Sequence, residues 1–317
     1  MKNINTIEIK KVLTILAAVC ALVISMTLAG CGSSSSSEDA EKGTESNPVK
    51  IGVVGSSDPQ YDVLKSELEK GGVFVEFVDF SNYTDENPAT ARGELDLNLF
   101  QHIDYLANHN VANDDTLVAI GATAIYPIGF YPNKSLEISS LDDIKKGDTV
   151  VIPDDETNSS RAIHLLASLE LIVLDADDTE YVTTDDINLD ESKVIVKSVK
   201  ANTTSTMLKD PTIVGAVVNN DYVTENPDYE LSDSLGNEDG DNLGYTERFI
   251  NVWVTREADK DNAVYKKVVE IASASQAFKD AIIEGNGENV ILVTDTSVDE
   301  LNRITKEMEL QYKNSDK

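Results

Sequence analysis

The chain has 317 residues and carries 57 Asp and Glu against 26 Lys and Arg, a formal net charge of -31. No basic patch interrupts this excess, so nucleic acid is excluded as a partner and an anionic membrane surface is repelled by the folded part. Hydrophobic residues make up 41%, enough for a packed core, whereas two cysteines cannot form a multi-disulfide scaffold.

The chain opens with Lys2, Lys10 and Lys11 against a single acid, Glu8, and then turns apolar over residues 12–27. This is the outline of a secretory signal peptide over residues 1–30. A spanning helix needs about 20 apolar residues, more than this run offers; a short N-terminal anchor with an incidental cysteine is the alternative. Leu28-Ala29-Gly30-Cys31 is a lipobox, in which the bond before the cysteine is cut and the thiol carries diacylglycerol, with palmitate as a typical acyl chain. Gly32, the serines 33–37 and the polar residues up to 47 cannot bury enough apolar surface to order themselves, so residues 31–47 read as a flexible tether. The expected location is the extracytoplasmic face of the cell membrane, with the lipid on Cys31 as anchor; several acyl chains on one cysteine hold without help from basic residues.

From residue 49 short β-branched runs alternate with helical segments. Residues 49–54 predict a buried strand, 61–70 a helix and 73–78 a second strand. Further strands are expected at 94–99, 116–120, 124–131, 149–152, 194–199, 213–218 and 249–255, and helices at 103–108, 160–169 and 262–274. Such alternation predicts an α/β fold with open sheets, whose ligand crevices lie beyond the carboxyl ends of the strands. Residues 231–243 read as a loop. Val298, Leu301, Ile304 and Met308 share one face of a terminal helix, which either docks on the body or binds a partner.

Motifs for catalysis and phosphate binding are missing: there is no G-x-S-x-G elbow, P-loop, HExxH helix or complete GxGxxG. Of the three histidines, His109 and His164 read as packing residues, and no metal cluster is expected. Two segments stand out. Phe80-Ser81-Asn82-Tyr83 ends a strand, and Gly93-Glu94-Leu95-Asp96-Leu97-Asn98-Leu99-Phe100-Gln101-His102-Ile103-Asp104-Tyr105 puts Asn98, Phe100 and His102 on one face if it is extended, with Tyr105 a helical turn later. Tyr83, Phe100, His102 and Tyr105 then line either a small aromatic slot or part of the core. The second segment, Thr157-Asn158-Ser159-Ser160-Arg161-Ala162, enters a helix with Asn158 or Ser159 as the N-cap. Arg161 would then sit in the first turn beside unpaired amides, an arrangement that suits a carboxylate ligand. A bridge from Arg161 to one of the many acids is the competing reading.

These blocks, together with Ala216-Val217-Val218-Asn219-Asn220-Asp221-Tyr222 and the lipobox, resemble the methionine-binding lipoproteins of ABC importers, the NlpA/MetQ group, from about residue 49 to 286. The resemblance implies a two-lobed type II periplasmic-binding-protein fold, with residues 48–128 and 245–317 as lobe one and 129–244 as lobe two. It further implies no enzymatic activity and no cofactor, a free amino acid ligand, typically methionine, and an ABC permease with its ATPase as partners. By the same resemblance Arg161 grips the ligand carboxylate beside Asn158; Tyr83, Phe100, His102 and Tyr105 surround the side chain; Asn219 and Asn251 hold the head group. Asn82 stands where the family commonly has Asp, the first turn is Ser56-Ser57-Asp58-Pro59, residues 236–242 look inserted, and the tail beyond about Asp295 extends past the usual end. Receptors for another amino acid or a small methionine-containing dipeptide, an enzyme on the same fold, and an adhesin are the rival readings.

Overall fold

The computed structural model describes residues 41–175, 181–238 and 246–315. The expected signal peptide, Cys31 and most of the tether lie outside the described residues, as does most of the 236–242 loop. From Gly43 onward the chain forms one unit. It begins with β1 (Val49–Val54), α1 (Pro59–Lys70) and β2 (Val75–Phe80), the two strands parallel. The strand β1 is buried at every position but Lys50, as its apolar run requires. Helix α1 starts where the Asp58 side chain accepts from Gln60 N, with proline just after the cap. Then come α2 (Glu86–Ala91), β3 (Leu97–Asn98), α3 (Ile103–Asn113) and β4 (Leu117–Ala122).

After β5 (Ala124–Ile125) the chain leaves this sheet and builds a second one. Its strands are β6 (Gly129–Pro132), β7 (Asp148–Pro153), β8 (Val194–Val199), β9 (Ile213–Val218) and β10 (Gly236–Asn237), interspersed with α4 (Glu156–Ser168), α5 (Thr204–Met207) and α6 (Asn220–Thr224). The chain returns as β11 (Val252–Arg256), antiparallel between β3 and β4. It continues through α7 (Ala263–Ala274), α8 (Gln276–Asn286), β12 (Ile291–Leu292) and α9 (Val298–Ser315). The strand orders are β2-β1-β3-β11-β4 and β10-β6-β9-β7-β8. Two open mixed sheets, each with three neighbouring parallel strands (β2-β1-β3 and β9-β7-β8) and flanking helices, make the two-lobed α/β architecture that was expected.

Several boundaries differ from the sequence reading. The run 124–131 breaks into β5, which pairs with β12, and β6, which joins the second sheet; Pro127 lies in the gap, where it has no ladder bond to donate. The strand expected at 94–99 narrows to Leu97–Asn98. The short helix α2 and the longer α8 were not anticipated. Asp155, not Asn158 or Ser159, caps α4, its side chain accepting from Asn158 N; Arg161 therefore sits in the second turn, away from the unpaired amides. The expected loop 231–243 contains the short strand β10. On α9, Leu301, Ile304 and Met308 are buried and Tyr312 extends the face, whereas Val298 is 44% exposed.

One cluster beneath the first sheet joins Ile51, Leu64 and Leu68 to Trp253 and Phe278. A second packs α3 and β11 against α9 through Leu106, Val252, Leu301 and Met308. Beside the latter, Asp104 is buried and accepts four hydrogen bonds from three residues. Arg248 donates to its Oδ2 from Nη2 at 2.7 Å and from Nε at 3.1 Å, Tyr312 donates to Oδ1 at 2.9 Å, and Tyr181 donates to the same oxygen. Tyr181 belongs to the connection between α4 and β8. Its neighbour Val182 is in the core of the second sheet, while Tyr181 packs against the α3–α9 cluster, so this one residue crosses from one lobe to the other.

Glu86, in the first turn of α2, is fully buried, and neither carboxyl oxygen has a hydrogen-bond partner. Burial, and after it the charges of Asp221, Asp79 and Asp85, push its carboxyl well above the ordinary range. A carboxyl raised on folding helps stability only below its unfolded value, near about 4.3, and costs stability as pH rises past that value. Glu86→Gln is therefore expected to raise the unfolding midpoint at pH 7, with a smaller gain at pH 4, in thermal scans at the two pH values.

Candidate ligand site

The segment between β3 and α3 is held by a buried amide network. Asn98 Nδ2 donates to Asn87 Oδ1 at 3.1 Å and to Thr90 Oγ1 at 2.8 Å. Gln101 Nε2 donates to Asn98 Oδ1 at 2.8 Å, and Asn87 Nδ2 donates to Gln101 Oε1 at 2.7 Å. Such a closed network fixes an irregular backbone that a ladder would otherwise straighten. Asn98 is thereby spent on structure, not on the slot face it was expected to share, while Phe100 and His102 are presented to the space between the sheets. His102 caps α3: its Nδ1 accepts from Tyr105 N at 3.1 Å, which leaves Nε2 as the protonated nitrogen, 3.3 Å from Asn158 Oδ1. Burial, then the nearby Arg161 charge, lowers the His102 pKa well below its usual value, so the ring is neutral at pH 7.

All eight residues expected around a ligand line one cavity: Tyr83, Phe100, His102, Tyr105, Asn158, Arg161, Asn219 and Asn251. They follow the carboxyl ends of β2, β3, β7 and β9, apart from Asn251, which precedes β11. The Asn251 backbone is pinned by a bond from its N–H to Ala124 O at 2.8 Å and by its pairing with His102. Around Tyr83 the rings cluster, with centroids 5.8 Å to Phe100, 6.2 Å to Tyr105 and 4.9 Å to Tyr222.

The residues missed by sequence reasoning define the charges of the site. Arg161 is bridged by an acid, but not by one of its sequence neighbours: Nε and Nη2 donate to Glu238 Oε1 and Oε2 at 3.0 and 2.5 Å. Glu238 Oε2 also accepts from Ile128 N at 3.1 Å, and both partners are buried. Nη2 further donates to Tyr126 O at 3.0 Å, Nη1 reaches Asn158 Oδ1 at 3.4 Å, and the guanidinium lies 4.3 Å from the Phe249 ring centroid. Four of the five guanidinium N–H groups are thus used, and one on Nη1 is left for an occupant. The pairing fixes the guanidinium in the cavity wall, so the two sequence readings of Arg161 are compatible. Asn158 Oδ1 is a hub that also accepts from Asn219 Nδ2 at 3.1 Å. The other amide oxygen of this pair, Asn219 Oδ1, is buried without a partner. A cationic donor next to an orphan acceptor is the complement of a carboxylate next to an ammonium. Gln60, Tyr61, Tyr126 and Asp221 also line the cavity. No spacing rule pointed to them; Glu238 was hidden in the acid-rich stretch.

His109 bonds Asp115 Oδ2 through Nε2 at 2.9 Å, and neither it nor His164 lines the cavity. Among the described residues no helix is long and apolar enough to cross a membrane, and no group of His, Cys, Asp or Glu is arranged to hold a metal ion.

Residues 49–293 match the family model of the NlpA lipoprotein; α9 follows the matched residues. The D-methionine-binding lipoprotein MetQ of Salmonella typhi is 33% identical over 273 residues, 86% of this chain and 95% of the relative. Among solved structures, the substrate-binding protein of a methionine transporter from Streptococcus pneumoniae superposes with a TM-score of 0.70 at 33% identity, covering 78% of this chain and 95% of that one. A nutrient-binding protein from Burkholderia cenocepacia, solved bound to methionine, gives 0.67 at 27% identity over 77% of this chain and 99% of its own. With a two-lobed α/β body, a cavity between its sheets and a family match over most of its length, the chain belongs to the NlpA lipoprotein family.

Proposed function

We propose that the protein is the substrate-binding lipoprotein of an ABC importer, capturing methionine between its lobes and delivering it to a permease coupled to an ATPase. It is a binding protein, not an enzyme. The observation that carries this reading is that the unused Arg161 N–H and the orphan Asn219 Oδ1 belong to one cavity, which suits a zwitterionic head group. The rings of Tyr83, Phe100 and Tyr105 suit a soft thioether, which packs well at aromatic edges. In this reading His102 and Asn158 orient the head-group donors, and Asn251 adds an amide. Anchorage is through lipid on Cys31, which keeps the receptor at the extracytoplasmic face of the membrane. Lobe one is 48–128 with 245–317 and lobe two 129–244, a division supported by the strands of the first sheet falling at 49–122 and 252–256 and those of the second at 129–237.

The test is a thermal-shift and calorimetric panel of free amino acids and methionyl dipeptides on the full chain in mild detergent. Methionine at a hundredfold excess over its Kd is expected to add about 2.7 kcal/mol of stability. No shift with any amino acid would overturn the reading, and chemical conversion of a panel compound would favour an enzyme on this fold instead.

A further inference from the structure

Asp221 lines the cavity on the side of the aromatic rings. Its Oδ2 accepts from Tyr83 OH at 2.7 Å, and Tyr83 is the ring around which Phe100, Tyr105 and Tyr222 gather. Asp221 therefore stands where the end of a ligand side chain lies once its head group meets Arg161 and Asn219. No lysine or arginine among the described residues pairs with it. The titratable carboxyls that bear on it are Glu225, Asp58 and the buried Glu86, all acids. Arg161, the one Lys or Arg among the described residues of the cavity wall, is already balanced by Glu238. With a zwitterion seated at the head-group end, the cavity still holds one carboxylate in want of a positive charge. Its cost shows in its titration: burial raises the Asp221 pKa to about 7 despite the Tyr83 bond.

A buried carboxyl group that accepts from the Tyr83 hydroxyl, in a cavity also lined by the rings of Phe100 and Tyr105, suits onium cations, since ring quadrupoles and a buried anion both attract positive charge without demanding directional donors. A thioether offers that carboxyl no countercharge, so beside it the group tends to keep its proton, whereas an onium group holds it ionised. We propose that Asp221 makes the distal half of the cavity a cation cage, so that the preferred occupant is an α-amino acid whose side chain ends in a sulfonium or alkylammonium group. This inference rests on the head-group reading above and adds to it the chemistry of the side chain.

The test is calorimetry on the full chain in mild detergent with methionine, S-methylmethionine, lysine and norleucine, for wild type and Asp221→Asn. S-methylmethionine, which differs from methionine by one methyl and one positive charge, is expected to bind wild type about tenfold or more tighter than methionine. In Asp221→Asn the order is expected to reverse, methionine tightening as the anion disappears and the sulfonium weakening by about tenfold. Lysine separates the two cation types: binding above norleucine extends the cage to ammonium, whereas lysine equal to norleucine with sulfonium preferred confines it to sulfonium, and both support the proposal. Wild type that prefers methionine to S-methylmethionine, or a ratio that Asp221→Asn leaves unchanged in a variant whose circular dichroism is native, would overturn it while leaving the head-group reading intact. Failure of all four compounds on wild type would instead overturn the head-group reading.

Discussion

Arg161→Ala is expected to weaken methionine binding by about thirtyfold or more, because the ligand carboxylate loses a charge-assisted partner inside a desolvated cavity, an effect of about 2–5 kcal/mol. The same change strands Glu238, whose carboxylate is 5% exposed and paired to the guanidinium at 2.5 Å. A buried ion left alone costs about 3–5 kcal/mol, so the single variant should also melt early. Arg161→Ala combined with Glu238→Ala separates the two effects: the melting temperature should recover much of its loss while binding stays absent. Calorimetry and thermal unfolding on the same samples decide it. A single variant that binds methionine as tightly as wild type would remove Arg161 from the head-group site.

The second large effect is expected at Arg248. This residue makes two of the hydrogen bonds to the buried Asp104 and stacks its guanidinium 4.4 Å from the Tyr181 ring centroid. Arg248→Ala is expected to destabilise the fold by about 3–5 kcal/mol, a fall in melting temperature of about 6–20 °C at about 2–4 °C per kcal/mol. Burial already raises the Asp104 pKa against the opposing pull of Arg248. Without that arginine the carboxyl moves further up, and a group raised on folding loses its contribution as pH increases. The penalty should consequently be larger at pH 8 than at pH 5. Equal penalties at both values would mean that Asp104 is not the group left exposed to the change.

The fold class was legible because β1 and β9 are short β-branched runs, and because a strand buried on both sides needs little beyond such a run. The cavity was legible through Asn158 and Arg161 and through the Phe100 to His102 segment, whose residue types match a recognisable family pattern. What could not be read was anything decided by distant pairing. Glu238 lies 77 positions from Arg161 in a stretch where acids are too common for any one to stand out. The strand at 94–99 shrank because Asn98 and Gln101 bond sideways to Asn87, an interaction that no alternation of apolar residues announces. Residues 124–131 carried a strand pattern throughout, yet Pro127 marks where the chain changes sheets. Asp155 took the cap from Asn158 by offering a carboxylate to the first-turn amides, a choice open to either side chain on propensity alone.

Trp253, the sole tryptophan, is fully buried on β11 with no hydrogen-bond partner for its indole N–H. It packs in the cluster of Ile51, Leu64 and Phe278 and does not line the cavity. Its emission should therefore be blue and insensitive to added amino acid, turning red only when the first sheet comes apart, so intrinsic fluorescence of this protein is a gauge of integrity and a poor titration signal.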